Sequence, residues 1–207
     1  MSARCRWAAR GFCRRLVRLT AAHPGLQVVT NESPFDLLAT ELRAGDLDFV
    51  FGALRPAAYA SDLYGEQLLV EEMVVLGRRG HALTEKPLSS EHLAQARWVL
   101  PRASTPARAK LDASFAELGI APPVPVVETG DLALIRGLLL QSDMLAAVSA
   151  HQLEHEIASG ELEALPLPLR HTTRPIGLIY RAGGLHAPPA VALMERIRDV
   201  IHDVEKR

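Results

Sequence analysis

The sequence predicts an α/β protein built as two small lobes, and three observations carry that reading. Apolar β-type runs alternate with helix-patterned segments along most of the chain, the rhythm of sheets covered by helices. The run from Leu47 to Leu54 holds only Asp48 as a charge, as expected of a strand covered on both faces in a parallel sheet. The rhythm then breaks at Glu71-Glu72 and restarts from residue 89. That places one crossing between lobes near 71–73 and a return near 164–172, with lobe I at 19–72 and 168–207 and lobe II at 73–167.

Residues 1–18 stand apart. Arg4, Arg6, Arg10, Arg14, Arg15 and Arg18 are basic and none is acidic, which suits a basic arm, a transit-like peptide or an irregular start to the chain. The segment lacks the uninterrupted apolar core of a secretory signal. Cys5 and Cys13 both fall in it; they make no disulfide framework and point to a reduced, cytoplasmic setting.

Residues 11–22 read as a helix broken at His23-Pro24-Gly25, and Leu26 to Thr30 as a short strand. Ser33 is expected to cap the next helix, with Pro34 at its first position and Asp36 completing a capping box. Phe35, Leu38, Ala39 and Leu42 give that helix an apolar face, and Gly45 ends it. With the strand at Leu47–Leu54 this makes a parallel strand–helix–strand unit. Two β-type pieces follow, Leu63–Val70 and Met73–Gly77. The second lobe is expected to run helix 89–96, strand Trp98–Leu100, helix Pro106–Leu118, strand Val124–Glu128, helix Asp131–Gln141, strand Leu145–Val148 and helix Ala150–Ala158, making a second small parallel sheet. Leu162–Leu169 is interrupted by proline and suits an edge or connector. A strand at Ile176–Tyr180 and a helix at Pro188–Val204 complete the chain.

The composition allows a sizeable core, with 48% hydrophobic residues among 207. A formal charge of -1 gives no global reason to bind nucleic acid or an anionic membrane. No stretch approaches the roughly 18–20 apolar residues of a membrane-spanning helix.

The candidate chemistry lies at the starts of helices. Ser33, Thr105, Thr129 and Ser149 each follow a strand or loop and precede a helix. Ser and Thr cap helices as a matter of course. The carboxyl ends of parallel strands, however, are also where ligands collect, and helix N-termini there favour carboxylates or phosphates. Arg55 and Arg102, each just past a strand, suit a salt bridge to a ligand carboxylate. His151 and His155 stand four apart, but Gln152 occupies the place of the glutamate that zinc proteases require, and no third ligand is apparent, so no metal is expected. No phosphate loop, dinucleotide fingerprint or nucleophile elbow is present, so neither a cofactor nor enzymatic activity is expected.

Several motifs then match one family in order and spacing from about Leu19 to about Arg198: L-R-A-G-D-L-D-F-V-F-G, G-H-A-L, W-V-L-P-R-A-S-T-P, V-E-T-G-D-L-A-L-I-R-G-L-L-L-Q-S-D and P-L-P-L-R-H-T-T-R-P-I-G-L. The chain resembles the effector-binding domain of LysR-type transcriptional regulators, nearest to the group named for the galactose-binding-protein regulator. The resemblance implies two Rossmann-like lobes of the type 2 periplasmic-binding-protein fold, joined by two crossing strands. It also implies a small-molecule inducer (a sugar, an aromatic acid or another carboxylate) in the inter-lobe cleft, and a cytoplasmic protein that forms dimers or tetramers.

The expected ligand contacts are Ser33 and Arg55 from the first lobe, and Arg102, Ser104, Thr105, Thr129, Gly130 and Ser149 from the second. Family members carry DNA through a winged helix-turn-helix and a long linker helix that this sequence does not show. They also open the domain with a strand and a polar loop, where this chain has its Arg-rich segment. A shifted reading frame or misassigned start over residues 1–15 is the expectation that follows. A stand-alone solute-binding protein for a transporter is the alternative reading.

Overall fold

The computed structural model describes residues 8–55, 62–84, 88–184 and 186–205, with side chains from 14 to 202. Cys5, the side chain of Cys13 and the loop after Arg55 lie outside those described. The chain divides into two compact units, Met1–Val70 with Arg174–Arg207, and Glu71–Thr173.

In the first unit, α1 (Ala8–Ala22) packs against α7 (Pro188–Glu205). Leu19 is buried, and Arg15 Nη1 lies 3.1 Å from Asp199 Oδ2. The second helix, α2 (Phe35–Ala44), buries Leu38, Ala39 and Leu42. It ends on Gly45 at φ +87, whose amide bonds back to the carbonyls of Glu41 and Leu42, a left-handed cap that glycine adopts without a Cβ penalty. The expected capping box is not formed. Pro34 holds the N-cap position with no side-chain cap, and Ser33 Oγ instead donates to Asn31 Oδ1 at 3.0 Å. Proline fixes the helix entry one residue later than the Ser-Pro pattern suggested, leaving Ser33 outside cap geometry.

The sheet of this unit has three strands in the order β1-β8-β2, namely β1 (Val50–Ala53), β8 (Arg174–Arg181) and β2 (Leu63–Glu71). Two expectations fail here. Leu26–Thr30 is not a strand, and Val29 is 77% exposed. β-branched composition favours extended backbone, but a strand exists only by pairing. Without that strand the parallel strand–helix–strand unit is absent. β1 runs antiparallel to β8, from Val50 opposite Ile179 to Ala53 opposite Ile176. Nor is the Leu47–Leu54 run covered on both faces: only Val50–Ala53 pairs, at the sheet edge, and Phe51 is 47% exposed. Ala39, Leu42, Leu63 and Ile179 form one core of the unit. Leu178, Met194, Ile197 and Ile201 form the other, under α7. Gly177 has no room for a side chain, because a Cβ there would fall on the carbonyl of Glu66.

The second unit has a five-stranded sheet of order β5-β4-β6-β3-β7. Its strands are β3 (Met73–Arg78), β4 (Arg97–Leu100), β5 (Pro125–Glu128), β6 (Met144–Ser149) and β7 (Leu162–Ala164). β4 is parallel to both β5 and β6, while β3 is antiparallel to β6 and β7. The sheet is therefore mixed and not wholly parallel as expected, because β3 alone runs opposite to the other four strands. All six residues of β6 are buried, as a central strand covered on both faces requires.

Four helices cover this sheet: α3 (Ser90–Gln95), α4 (Pro106–Glu117), α5 (Leu132–Gln141) and α6 (Glu154–Ser159). Trp98, Leu100, Leu111 and Phe115 build the core beneath α4. Val99, Ile135, Leu139 and Leu153 build the one on the opposite face. The indole of Trp98 donates to the Leu93 carbonyl at 2.9 Å and meets Phe115 edge-on at 5.4 Å. His81 is buried, with Nδ1 accepting from the Leu83 amide at 3.1 Å and Nε2 3.2 Å from the Asp143 carbonyl. Its ring thereby ties the turn after β3 to the start of β6. The helix expected at Ala150–Ala158 begins only at Glu154, after a turn in which Gln152 bonds to the Ser149 carbonyl.

Candidate ligand-binding site

Because β4, β5 and β6 are parallel, their carboxyl ends share one edge of the second unit. Antiparallel β3 starts at that same edge, with Met73 directly opposite Ser149. Six of the sequence-predicted residues gather there: Arg102, Ser104 and Thr105 after β4, Thr129 and Gly130 after β5, and Ser149 as the last residue of β6.

Each is placed for a local reason. Thr105 caps α4. Its hydroxyl accepts from the Arg108 amide at 3.3 Å and donates to the Arg102 carbonyl at 2.8 Å, which closes the 102–105 turn and leaves the Arg102 and Ser104 side chains exposed. Pro106 then sits where a missing amide costs nothing. The Thr129 amide continues the ladder to the Leu100 carbonyl at 3.0 Å, and its hydroxyl accepts from the Asp131 amide at 3.0 Å. Asp131, not Thr129, caps α5, accepting from the Leu134 amide at 3.1 Å. Gly130 is exposed, with nothing within 4 Å of where a Cβ would stand.

Ser149 departs from its expected role. It is not a helix cap, since α6 starts five residues later. It is 1% exposed, and its hydroxyl has no hydrogen-bond partner among the described residues. Buried hydroxyls are normally paired; that of Ser114 on α4, fully buried, is likewise without a partner among the described residues. Two helix N-termini, those of α4 and α5, open on the same edge with their positive dipole ends.

Ser33 and Arg55 belong to the first unit. Arg55 follows β1, and its guanidinium lies 5.1 Å over the ring of Phe35, the first residue of α2. Burial pushes its pKa below the ordinary arginine value, and the neighbouring charge of Arg174 adds to this, while Asp36 opposes it. Antiparallel pairing explains the neighbourhood, since the end of β1 adjoins the start of β8 and the Leu54 amide donates to the Pro175 carbonyl at 2.9 Å.

Sequence reasoning missed the pairing of Arg108 with Glu128, whose Oε1 accepts from Arg108 Nη1 at 3.0 Å. The spacing of Arg108 and Asp112 at i and i+4 was the available signal. His151 lies in the turn before α6, so the two histidines do not share a helix face; its Nε2 is 3.6 Å from Glu71 Oε1. Among the described residues no group of three or more His, Cys, Asp or Glu side chains is placed to hold a metal ion. Among them, too, no helix is long and apolar enough to cross a membrane.

Residues 6–201 match the family model of the LysR substrate binding domain. The HTH-type transcriptional regulator GalR of Pseudomonas putida is 66% identical over 186 residues, covering 90% of this chain and 47% of the relative. PcaQ of Agrobacterium fabrum, also an HTH-type transcriptional regulator, is 30% identical over 84% of this chain and 56% of its own length. GbpR of Azospirillum brasilense is 24% identical over 88% and 54%. The chain thus spans about half the length of the curated relatives it matches. Those relatives are named as HTH-type transcriptional regulators, which supports a regulatory role.

Among solved structures, the CcmR regulatory domain of Synechocystis in complex with 2-PG superposes with a TM-score of 0.74 at 19% identity, covering 94% of this chain and 93% of that one. The CrgA regulatory domain of Neisseria meningitidis gives 0.71 at 16% identity, covering 91% of each. At those identities the likeness is one of fold, the type 2 periplasmic-binding-protein fold of LysR regulatory domains. On the strength of the family match and the GalR relative together, this chain belongs to the LysR family, as its substrate-binding domain.

Proposed function

We propose that the chain is an inducer-sensing regulatory domain, binding a small polar or anionic molecule and taking part in homo-oligomer formation. The observation that carries the binding half is the carboxyl edge of β4, β5 and β6. It brings together an exposed arginine, two helix N-termini and a fully buried serine hydroxyl without a hydrogen-bond partner among the described residues. Arg102, Ser104, Thr105, Thr129, Gly130 and Ser149 are the proposed contacts of the second unit; Ser33 and Arg55 are those of the first. In the second unit a carboxylate would engage Arg102 and the helix N-termini, and hydroxyl groups would suit Thr129 and Ser149.

An inducer can bias such a protein only through its different affinities for two conformational or oligomeric states. DNA recognition, in this reading, belongs to a helix-turn-helix outside these residues, and the protein acts in the cytoplasm. The alternative of a transporter's solute-binding protein is disfavoured, since the relatives named above are regulators.

A thermal-shift screen of small carboxylates and sugars identifies the ligand class, because a molecule that binds only the folded state raises the melting temperature. Calorimetry on Thr129→Val then tests the site. Affinity is expected to fall roughly three- to tenfold, the value of one hydrogen bond, with little change in stability because water replaces the hydroxyl at the exposed Asp131 amide. Unchanged affinity removes Thr129 from the site.

A further inference from the structure

We propose that Arg108 is a positioning residue for the ligand surface, its guanidinium fixing the spacing between the 101–105 turn and the Glu128–Gly130 turn. This rests on the reading of the β4–β5–β6 edge as the binding surface.

Arg108 is the third residue of α4 and only 9% exposed. Its Nε donates to both carboxylate oxygens of Asp112, at 2.8 and 3.1 Å. Its Nη1 donates to the Pro101 carbonyl at 3.2 Å and to Glu128 Oε1 at 3.0 Å. Pro101 immediately precedes Arg102, and Glu128 immediately precedes Thr129. One cation therefore holds the chain just ahead of both segments that carry proposed contacts. The backbone of the same residue reinforces the arrangement, since the Arg108 amide is the group that Thr105 caps.

An exposed pair at i and i+4 is worth only a few tenths of a kcal/mol. This one differs in its burial and in its number of partners. A planar guanidinium with fixed donors holds three acceptors in one geometry, which the single flexible ammonium of a lysine does not reproduce. The unit does not need Arg108 for its core, because α4 is anchored by Leu111 and Phe115, both fully buried. Removing the guanidinium should therefore loosen the two turns and spare the helix and the sheet.

The test uses the full chain with Arg108→Gln and Arg108→Lys, read by amide hydrogen exchange and by binding of benzoate and of sulfate. Exchange at the Thr105 and Thr129 amides should accelerate roughly ten- to a hundredfold in R108Q, the effect of losing hydrogen bonds to a charged group. R108K should fall between R108Q and wild type, and amides of β6 should be unchanged in both. Affinity for whichever probe binds the wild type should drop in the same order, with the melting temperature moving little. Wild-type exchange at both turns in R108Q would overturn the proposal, as would acceleration spread equally through β6. If neither probe binds the wild-type chain, the ligand reading of this edge fails for these anions, and the exchange measurement alone decides the role of Arg108.

Discussion

Replacing Ser149 by alanine removes a single oxygen atom from the end of β6, and its effects on stability and on binding should have opposite signs. The side chain is 1% exposed and its hydroxyl meets no hydrogen-bond partner among the described residues. A buried polar group left unpaired costs about 1–3 kcal/mol. Deleting it recovers that penalty, less a fraction of a kcal/mol for the small void left behind. The net expectation is a gain of about 1 kcal/mol, which for a chain of this size raises the melting temperature by roughly 2–4 °C. Binding should weaken, because a ligand that pairs with this hydroxyl loses about 0.5–1.5 kcal/mol, or roughly two- to tenfold in affinity. Thermal unfolding of S149A, with and without the ligand found by screening, measures both. A variant destabilised by more than about 1 kcal/mol in the absence of ligand refutes the reasoning, since the hydroxyl would then already be making a favourable bond.

Two further expectations concern the first unit. Gly177→Ala should cost more than about 3 kcal/mol, because its Cβ meets the Glu66 carbonyl and two backbones must move apart; urea unfolding checks this, and a loss under 1 kcal/mol would contradict the packing. Glu66 is held below the ordinary carboxylate range, first by its hydrogen bonds to Arg198 at 2.7 Å and against the opposing effect of burial. A depressed carboxyl contributes stability above the unfolded value near 4.3 and loses it as pH falls through its own lower pKa. Glu66→Gln should accordingly be less stable than wild type at pH 7, by about 1 kcal/mol after discounting for the pair's partial exposure. The two proteins should converge in acid, and a constant difference from pH 7 to pH 2 would assign the loss to something other than charge.

The second unit was far more legible in the sequence than the first, and the difference is physical. Its helices carry local signals that the chain obeys: Ser89 caps α3, Thr105 and Pro106 start α4, and Gly160 ends α6 in left-handed geometry. Strands are another matter, since they exist by virtue of partners distant in sequence. Leu26–Thr30 has strand composition and no pairing, while β1 is cut to four residues by where β8 can reach it. The same logic explains the site. Thr105 and Thr129 stand where the sequence expects them, because hydroxyls near helix starts carry a local signal. Ser149 is expected to precede a helix and instead ends β6, buried and without a hydrogen-bond partner among the described residues. Arg108 was passed over because its bond to Glu128 joins two segments that only the parallel pairing of β4 and β5 brings together.

The strand order of the first unit also bears on how the polypeptide assembles as it leaves the ribosome. β8 lies between β1 and β2, so neither of those two strands has a neighbour until residues 174–181 have been made. The second unit, a single stretch from Glu71 to Thr173, is complete earlier. β1 and β2 must therefore wait, unpaired with β8, through the synthesis of a whole intervening unit, and closing their sheet means closing a loop of about that length. Leu63 and Val50, which pack with Ile179 of β8 in the complete unit, stay open to chaperones or to aggregation for that interval, so nascent-chain yield should be governed by the first unit, whatever the stability of the second.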